Sequence, residues 1–208
     1  MATATDLQAG LAYDIEGTGT PVVFLHGLTS DRRTWRPIIE QLDGAFTSIA
    51  IDLPAHGDSG GEPASLKAFA ERIHRLLHSL GVERPVVVGH SMAAGIAGLY
   101  ACAHPARGIV LVDQATEVLP FAQMLHQVAP MLRGPASGQV WPGIENSRSR
   151  AWRCSAGRPA TVSATGSAAC RTPRLRSGRA TDTFVHLVDP GRFATRLRPF
   201  VEHCDQAG

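Results

Sequence analysis

Along residues 11 to 113, short unbroken apolar runs alternate with stretches whose apolar positions recur every three or four residues. Each run is short enough for a strand buried on both faces, and each periodic stretch has the spacing of a helix with one covered face. "LAYDIEG" (11–17) alternates and enters the turn cluster Gly17-Thr18-Gly19-Thr20-Pro21, which predicts a hairpin into the next strand. That next strand is "VVFLHG" (22–27). Trp35, Ile38, Ile39 and Leu42 then fall on one helical face, with Gly44 placed to stop the helix. "FTSIAIDLP" (46–54) reads as strand. In "SLKAFAERIHRLLHSLG" (65–81), Leu66, Phe69, Ile73, Leu76, Leu77 and Leu80 make one apolar stripe between a Ser65 N-cap and Gly81 at C′. "PVVVGH" predicts a strand, "MAAGIAGLYACAH" a helix and "GIVLVD" (108–113) a strand. Strands separated by single helices predict an α/β fold, a mostly parallel sheet with helices on both faces.

A chain of 208 residues suffices for one domain with a substantial core and is short for two. Its pattern divides into residues 1–147, the regular body; 148–182, rich in Arg, Ser and Gly; and 183–208, which reads as a closing helical segment. Within the first part, "EVLPFAQMLHQVAPML" (117–132) reads as an apolar helix, either core-facing or lining an acyl or aromatic pocket. Residues 148–181 hold eight arginines and no acid, which leaves twelve basic against eighteen acidic residues elsewhere, a balance of −6. Trp152, Val162 and Leu175 are the only large apolar side chains there, too few to offset the entropy of ordering, so an irregular segment is expected. A single aromatic among the arginines does not make a nucleic-acid surface. The first residues have neither a basic start nor an apolar core, and no run could span a bilayer, so a cytoplasmic protein without membrane attachment is expected. Four cysteines without a CxxC pair indicate neither a metal site nor a disulfide framework. The partner this leaves is a small-molecule substrate; oligomeric state is not legible.

The chemistry concentrates in "VVVGHSMAAG" (86–95). A strand, then Gly89-His90-Ser91-Met92-Ala93, then a helix has the pattern of a nucleophile elbow, in which a sharp turn lifts a serine above the carboxyl edge of the sheet. Small residues are needed because strand and helix pack closely at the turn; Gly89 satisfies this, and Ala93 replaces the second glycine of G-x-S-x-G. The bland alternative is a serine that only caps a helix. "FLHGLTSDRRTW" adds His26-Gly27 at the end of another strand, where the backbone N–H of Leu28 could serve as an oxyanion donor. "DLPAHGDSGG" gives a third strand end an Asp52, a proline turn and a Gly-rich loop.

These three segments together resemble the α/β-hydrolase family, in its esterase, lactonase and cofactor-free haloperoxidase-like branch, over residues 10 to 133. The resemblance implies Ser91 as nucleophile, Leu28 and Met92 as backbone oxyanion donors, an acyl-enzyme and no cofactor or metal. It argues against dehalogenase or epoxide hydrolase chemistry, since those relatives carry an aspartate where this chain has Ser91. "TFVHLVDPGRFATRLRPFVEHC" (183–204) resembles the family's closing segment, but the catalytic histidine of that pattern falls on Thr183. His186, matching the family's second and usually noncatalytic histidine, is the base candidate that remains. Asp113 is the candidate acid; it reads equally as a carboxylate that holds a loop. The fold is therefore expected to be incomplete in its C-terminal part. With one lysine against nineteen arginines pointing to GC-rich coding sequence, the segment after about residue 147 is expected to be out of frame or rearranged.

Other histidines carry less. His90 is expected to shape the elbow, and His56 to be a loop residue of the motif rather than a base. His74 and His78 stand four apart on a helix, but Arg75 occupies the place of the glutamate in the zinc protease motif, so both are expected to be solvated. Two functions follow: a serine hydrolase of a small ester, lactone or related carbonyl compound, or a catalytically inactive, partial fold of the same kind that binds at most.

Overall fold

The computed structural model describes residues 2–62, 64–113, 160–163 and 185–206, the strand at 160–163 by its backbone. Five parallel strands form most of a seven-stranded sheet: β3 (Pro21–Leu25), β4 (Thr47–Ile51), β5 (Val86–His90), β6 (Gly108–Val112) and β7 (Ala160–Ser163). β1 (Ala2–Asp6) and β2 (Leu11–Glu16) complete it at one edge, and the order is β1-β2-β4-β3-β5-β6-β7. β1 and β2 are antiparallel to each other, and β2 is antiparallel to β4.

The hairpin expected between residues 11–16 and 22–27 is corrected. β2 pairs with β4, and β3 lies one place further in, between β4 and β5. The glycine cluster carries the chain past the foot of β4 rather than turning it back on itself. Thr18 N–H donates to the Gly44 carbonyl at 3.3 Å, and a Cβ on Gly17, at φ 78°, would collide with the Phe46 carbonyl. The hairpin instead joins β1 to β2. The expectation that 148–181 is irregular is corrected at Ala160–Ser163, which pair with Gly108–Leu111 of β6. Ladder hydrogen bonds to an open sheet edge come from the backbone, so they need no side-chain period.

The helices cover both faces. On one face, α2 (Leu66–Ser79) and α3 (Met92–Ala103) bury Phe69, Ile73, Leu76, Leu77, Ile96 and Tyr100 against Val23, Leu25, Ile49, Ile51 and Val87. On the other, α1 (Arg36–Leu42) and α5 (Pro190–Gln206) bury Ile38, Ile39, Leu42, Phe193, Leu197 and Phe200 against Val22, Phe24, Val86, Val88 and Val110. A short helix, α4 (Val185–Val188), precedes α5. Successive strand residues thus serve opposite cores, which is why these runs are continuously apolar. Each fully buried Leu, Ile or Phe contributes about 1.5–3 kcal/mol before ordering costs.

The helix ends follow their sequence signals. The Ser65 hydroxyl accepts from Ala68 N–H, capping α2, and Gly81 takes φ 71° just beyond its end. Asp43, at φ 51°, closes α1 in the left-handed conformation with Gly44 behind it. Among the described residues no helix is long and apolar enough to cross a membrane. The apolar stretch 117–132, Thr183 and all of 148–182 except β7 lie outside the described residues.

Candidate active site

β5 and β3 are neighbours near the middle of the sheet, and the sequence motifs sit where both end. Beyond β5 the chain bends sharply: Ser91 adopts φ 51°, ψ −118°, and α3 begins at Met92. This bend needs Gly89, since a Cβ there would collide with the Ala93 carbonyl and meet Ala94 N at 2.9 Å. Ser91 N–H donates to the Val112 carbonyl at 2.9 Å, which ties the bend to the end of β6. Unlike Ser65, Ser91 does not engage its side chain in a capping bond to its helix, α3. Its backbone conformation is one that residues other than glycine adopt only at a cost, a common mark of functional positions.

Gly27 faces the bend. A Cβ on Gly27 would stand 3.4 Å from Ser91 Cβ and 2.9 Å from His90 Nδ1, so any larger residue would intrude between β3 and the serine. His26 is buried, and Leu53 N–H donates to its Nε2 at 3.0 Å. That bond fixes the tautomer: the proton is on Nδ1, which donates to the Gly27 carbonyl at 2.7 Å. Burial pushes the His26 pKa down to about 4, so the ring is neutral at neutral pH. Leu28 follows, packed against the α2/α3 core. Met92 and its successors open α3, and the first N–H groups of a helix have no intrahelical acceptor.

The loop after β3 is anchored by Arg32, which is buried in a short 3-10 helix, Arg32–Trp35. Its guanidinium meets Asp14 at 3.0 Å, Asp58 at 2.8 Å and Asp52, while its N–H donates to Asp52 Oδ1 at 2.7 Å. Burial opposes the guanidinium charge, but the bonds from Asp58, Asp14 and Asp52 outweigh it and raise the pKa. Asp52 also accepts from Asp58 N–H at 2.8 Å, and Gly57, at φ 52°, passes so close that a Cβ would collide with the carboxylate. The third motif thus braces the loop after β3.

Asp113 lies just past β6, at φ 56°, with its carboxyl pKa raised by burial. Its Oδ2 stands 3.8 Å from Nε2 of His90. His90 continues the side-chain face of Val86 and Val88, so it points into the α1/α5 side of the sheet. There it meets His186, with ring centroids 4.3 Å apart. His186 is fully buried and stacked on Trp35 at 4.8 Å, and its pKa is pushed down to about 3 by burial and by His90. The structure therefore gathers Ser91, Gly27, His90, Asp113 and His186 around the ends of β3, β5 and β6, with His90 between the candidate acid and the candidate base.

His56 is a loop residue, as expected, and it reaches the loop after β3: its Nε2 lies 2.7 Å from the Leu28 carbonyl, a contact that its spacing in the sequence does not signal. One histidine reading is revised. His78 is exposed as expected, but His74 is half-buried and stacks flat on His104 at 3.8 Å. Among the described residues no group of three or more His, Cys, Asp or Glu side chains is arranged to hold a metal ion.

The parallel sheet covered by helices on both faces defines an α/β protein, and its candidate site, a serine in a strained bend opposite a glycine, lies at the carboxyl edge of the sheet. The sequence model of the alpha/beta hydrolase fold matches residues 20–138, and the chain belongs to that family. A thermophilic esterase from Thermogutta terrifontis superposes with a TM-score of 0.54 at 30% identity, covering 62% of this chain and 50% of the esterase. A 2-(acetamidomethylene)succinate hydrolase of Mesorhizobium japonicum is 31% identical over 102 residues, 47% of this chain and 37% of the relative. An uncharacterized protein of Mycobacterium tuberculosis is 36% identical over 96 residues, 45% of this chain and 28% of the relative. The chain thus spans well under half the length of these curated relatives.

Proposed function

We propose that this chain is a serine hydrolase of small esters, lactones or related carbonyl compounds, with Ser91 as the nucleophile. The observation that carries the reading is the Ser91 bend, strained at φ 51° and without a capping bond, in a chain of this family. In the proposed reaction Ser91 Oγ attacks the substrate carbonyl carbon while a base takes its proton. The oxyanion is received by the N–H groups of Leu28 and Met92, supported by the dipole of α3. Collapse of the tetrahedral intermediate expels the alcohol, which takes the proton back from the base. Water, deprotonated in the same way, then attacks the acyl carbon; the bond to Ser91 Oγ breaks, the serine oxygen takes the proton back from the base, and the acid is released. His186 is the proposed base, neutral because of its burial, with Asp113 acting on it through His90.

A second reading has its own support. Efficient general bases titrate near the working pH, whereas His186 is fully buried on Trp35 with a pKa near 3. That environment favours a fold that keeps the architecture of the site without its base and acts at most in binding. Labelling with a fluorophosphonate separates the two. Labelling abolished by Ser91→Ala and His186→Ala supports the hydrolase; a folded wild-type chain that stays unlabelled supports the inactive fold.

A further inference from the structure

We propose that His56 is a positioning residue for the oxyanion site, acting through the Leu28 carbonyl; this rests on the Ser91 hydrolase reading. Leu28 sits between two peptide planes. In the first, the Gly27 carbonyl accepts from His26 Nδ1 at 2.7 Å and from Ser30 N–H at 3.2 Å. A trans peptide directs its N–H opposite to its carbonyl, so fixing the Gly27 oxygen fixes the direction of the Leu28 N–H. The second plane carries the Leu28 carbonyl, and His56 Nε2 approaches it to 2.7 Å. A carbonyl only accepts, so this contact is a hydrogen bond only when Nε2 carries a proton, and the proposed role requires one there. With both planes held, rotation about either backbone torsion of Leu28 breaks a hydrogen bond.

The loop that carries His56 is built to deliver it. Ala55 takes φ 62°, a left-handed turn that reverses the chain, and His56 N–H donates to the Leu53 carbonyl at 3.0 Å. The ring's Nδ1 lies 2.9 Å from the Pro54 carbonyl, so both ring nitrogens face carbonyl oxygens, and both contacts are hydrogen bonds only when both nitrogens carry a proton. On either side, Asp52 and Asp58 are fastened to Arg32, which itself sits at the far end of the loop after β3. The rings of His56 and His26 are 5.2 Å apart, one arriving from the end of β4 and the other from the end of β3. The two histidines therefore brace opposite sides of one residue. His56 has no part in proton transfer under this assignment; it keeps a donor aimed at the place where charge develops.

The test uses the full chain, a fluorophosphonate probe and hydrolysis of p-nitrophenyl acetate. His56→Gln keeps an N–H donor at a comparable reach, and His56→Leu removes it. Loss of a whole oxyanion donor costs about 10²–10³ in kcat, so loosening one should cost about tenfold. The expected result is labelling of His56→Leu slowed about tenfold, kcat lowered with KM unchanged, and His56→Gln within about twofold of wild type. Wild-type rates in both variants overturn the role of His56 and leave Ser91 as nucleophile. Equal slowing in both variants also overturns it, since the donor would then be irrelevant. An unlabelled wild-type chain overturns the Ser91 reading, and this inference with it. Nitrogen NMR of the wild-type ring is independent of the folding of either variant: a protonated, hydrogen-bonded Nε2 is expected, and a bare Nε2 overturns the assignment.

Discussion

Asp113 stands 3.8 Å from His90, the residue immediately before Ser91, and that same imidazole packs against His186. The acid that the sequence suggests thus approaches the residue beside the serine. His90 pairs with Val112 and Asp113 follows directly, and the left-handed turn at Asp113, φ 56°, breaks the alternation that would send its side chain to the opposite face.

Gly89 is required by the bend that follows it. In Gly89→Ala the new Cβ would collide with a backbone carbonyl, that of Ala93, which cannot move without shifting α3. A loss of about 2–3 kcal/mol in urea unfolding is expected. A variant as stable as wild type would mean that strand and helix are further apart than described.

The strain at Ser91 can be read by comparing two variants that both lack the hydroxyl. At φ 51°, ψ −118°, glycine is comfortable and alanine is not. Ser91→Gly should exceed Ser91→Ala by about 1 kcal/mol, because relief of strain of about 1–3 kcal/mol outweighs glycine's extra unfolded-state entropy. Equal melting temperatures would argue against strain at this position.

Stability should fall with acid in a defined window. Burial lowers the pKa of His26 to about 4 and of His186 to about 3, against 6.5 for an exposed ring. Between those values the unfolded chain binds protons that the folded chain does not, so stability drops as pH falls below 6.5 and is flat with respect to these groups above it. Each ring contributes a slope of up to about 1.4 kcal/mol per pH unit. Urea titrations at pH 7 and pH 5 should show the drop, and His186→Phe, which keeps a ring on Trp35, should reduce it. An unchanged drop in that variant would remove His186 from the account.

Arg32 balances carboxylates that are themselves out of solvent. Asp52 and Asp14 are both buried beside it, so Arg32→Met leaves their charges uncompensated, at a cost of about 3–5 kcal/mol. Adding Asp52→Asn to that variant should recover part of the loss, and a double-mutant cycle measures how much. Strictly additive losses would show that the two groups do not interact.

What was legible in the sequence and what was not divides along physical lines. β3, β5 and β6 announce themselves because burial on both faces demands unbroken apolar runs, and α2 because its cap, stripe and terminal glycine agree. β1 carries no such signal, since Ala2–Thr5 are exposed and the strand exists through its pairing with β2. The pairing of β2 with β4 is not legible, because Gly17 and Gly19 mark a turn without saying which strand lies beyond it. At the site, the elbow and the glycine opposite it were legible as local motifs. The His56 contact spans 28 positions and the Asp113–His90 contact 23, and no local pattern encodes which side chains two loops will bring together.

The neighbouring register of β3 and β5, Leu25 beside Gly89, makes the serine bend and the Leu28 loop extensions of one pair of hydrogen-bonded strands. The strands that they extend stand an interstrand spacing of about 4.8 Å apart, set by the peptide ladder. If Ser91 and Leu28 act as proposed, the part of the site that they form is carried by one pair of neighbouring strands and can persist through changes elsewhere in the chain.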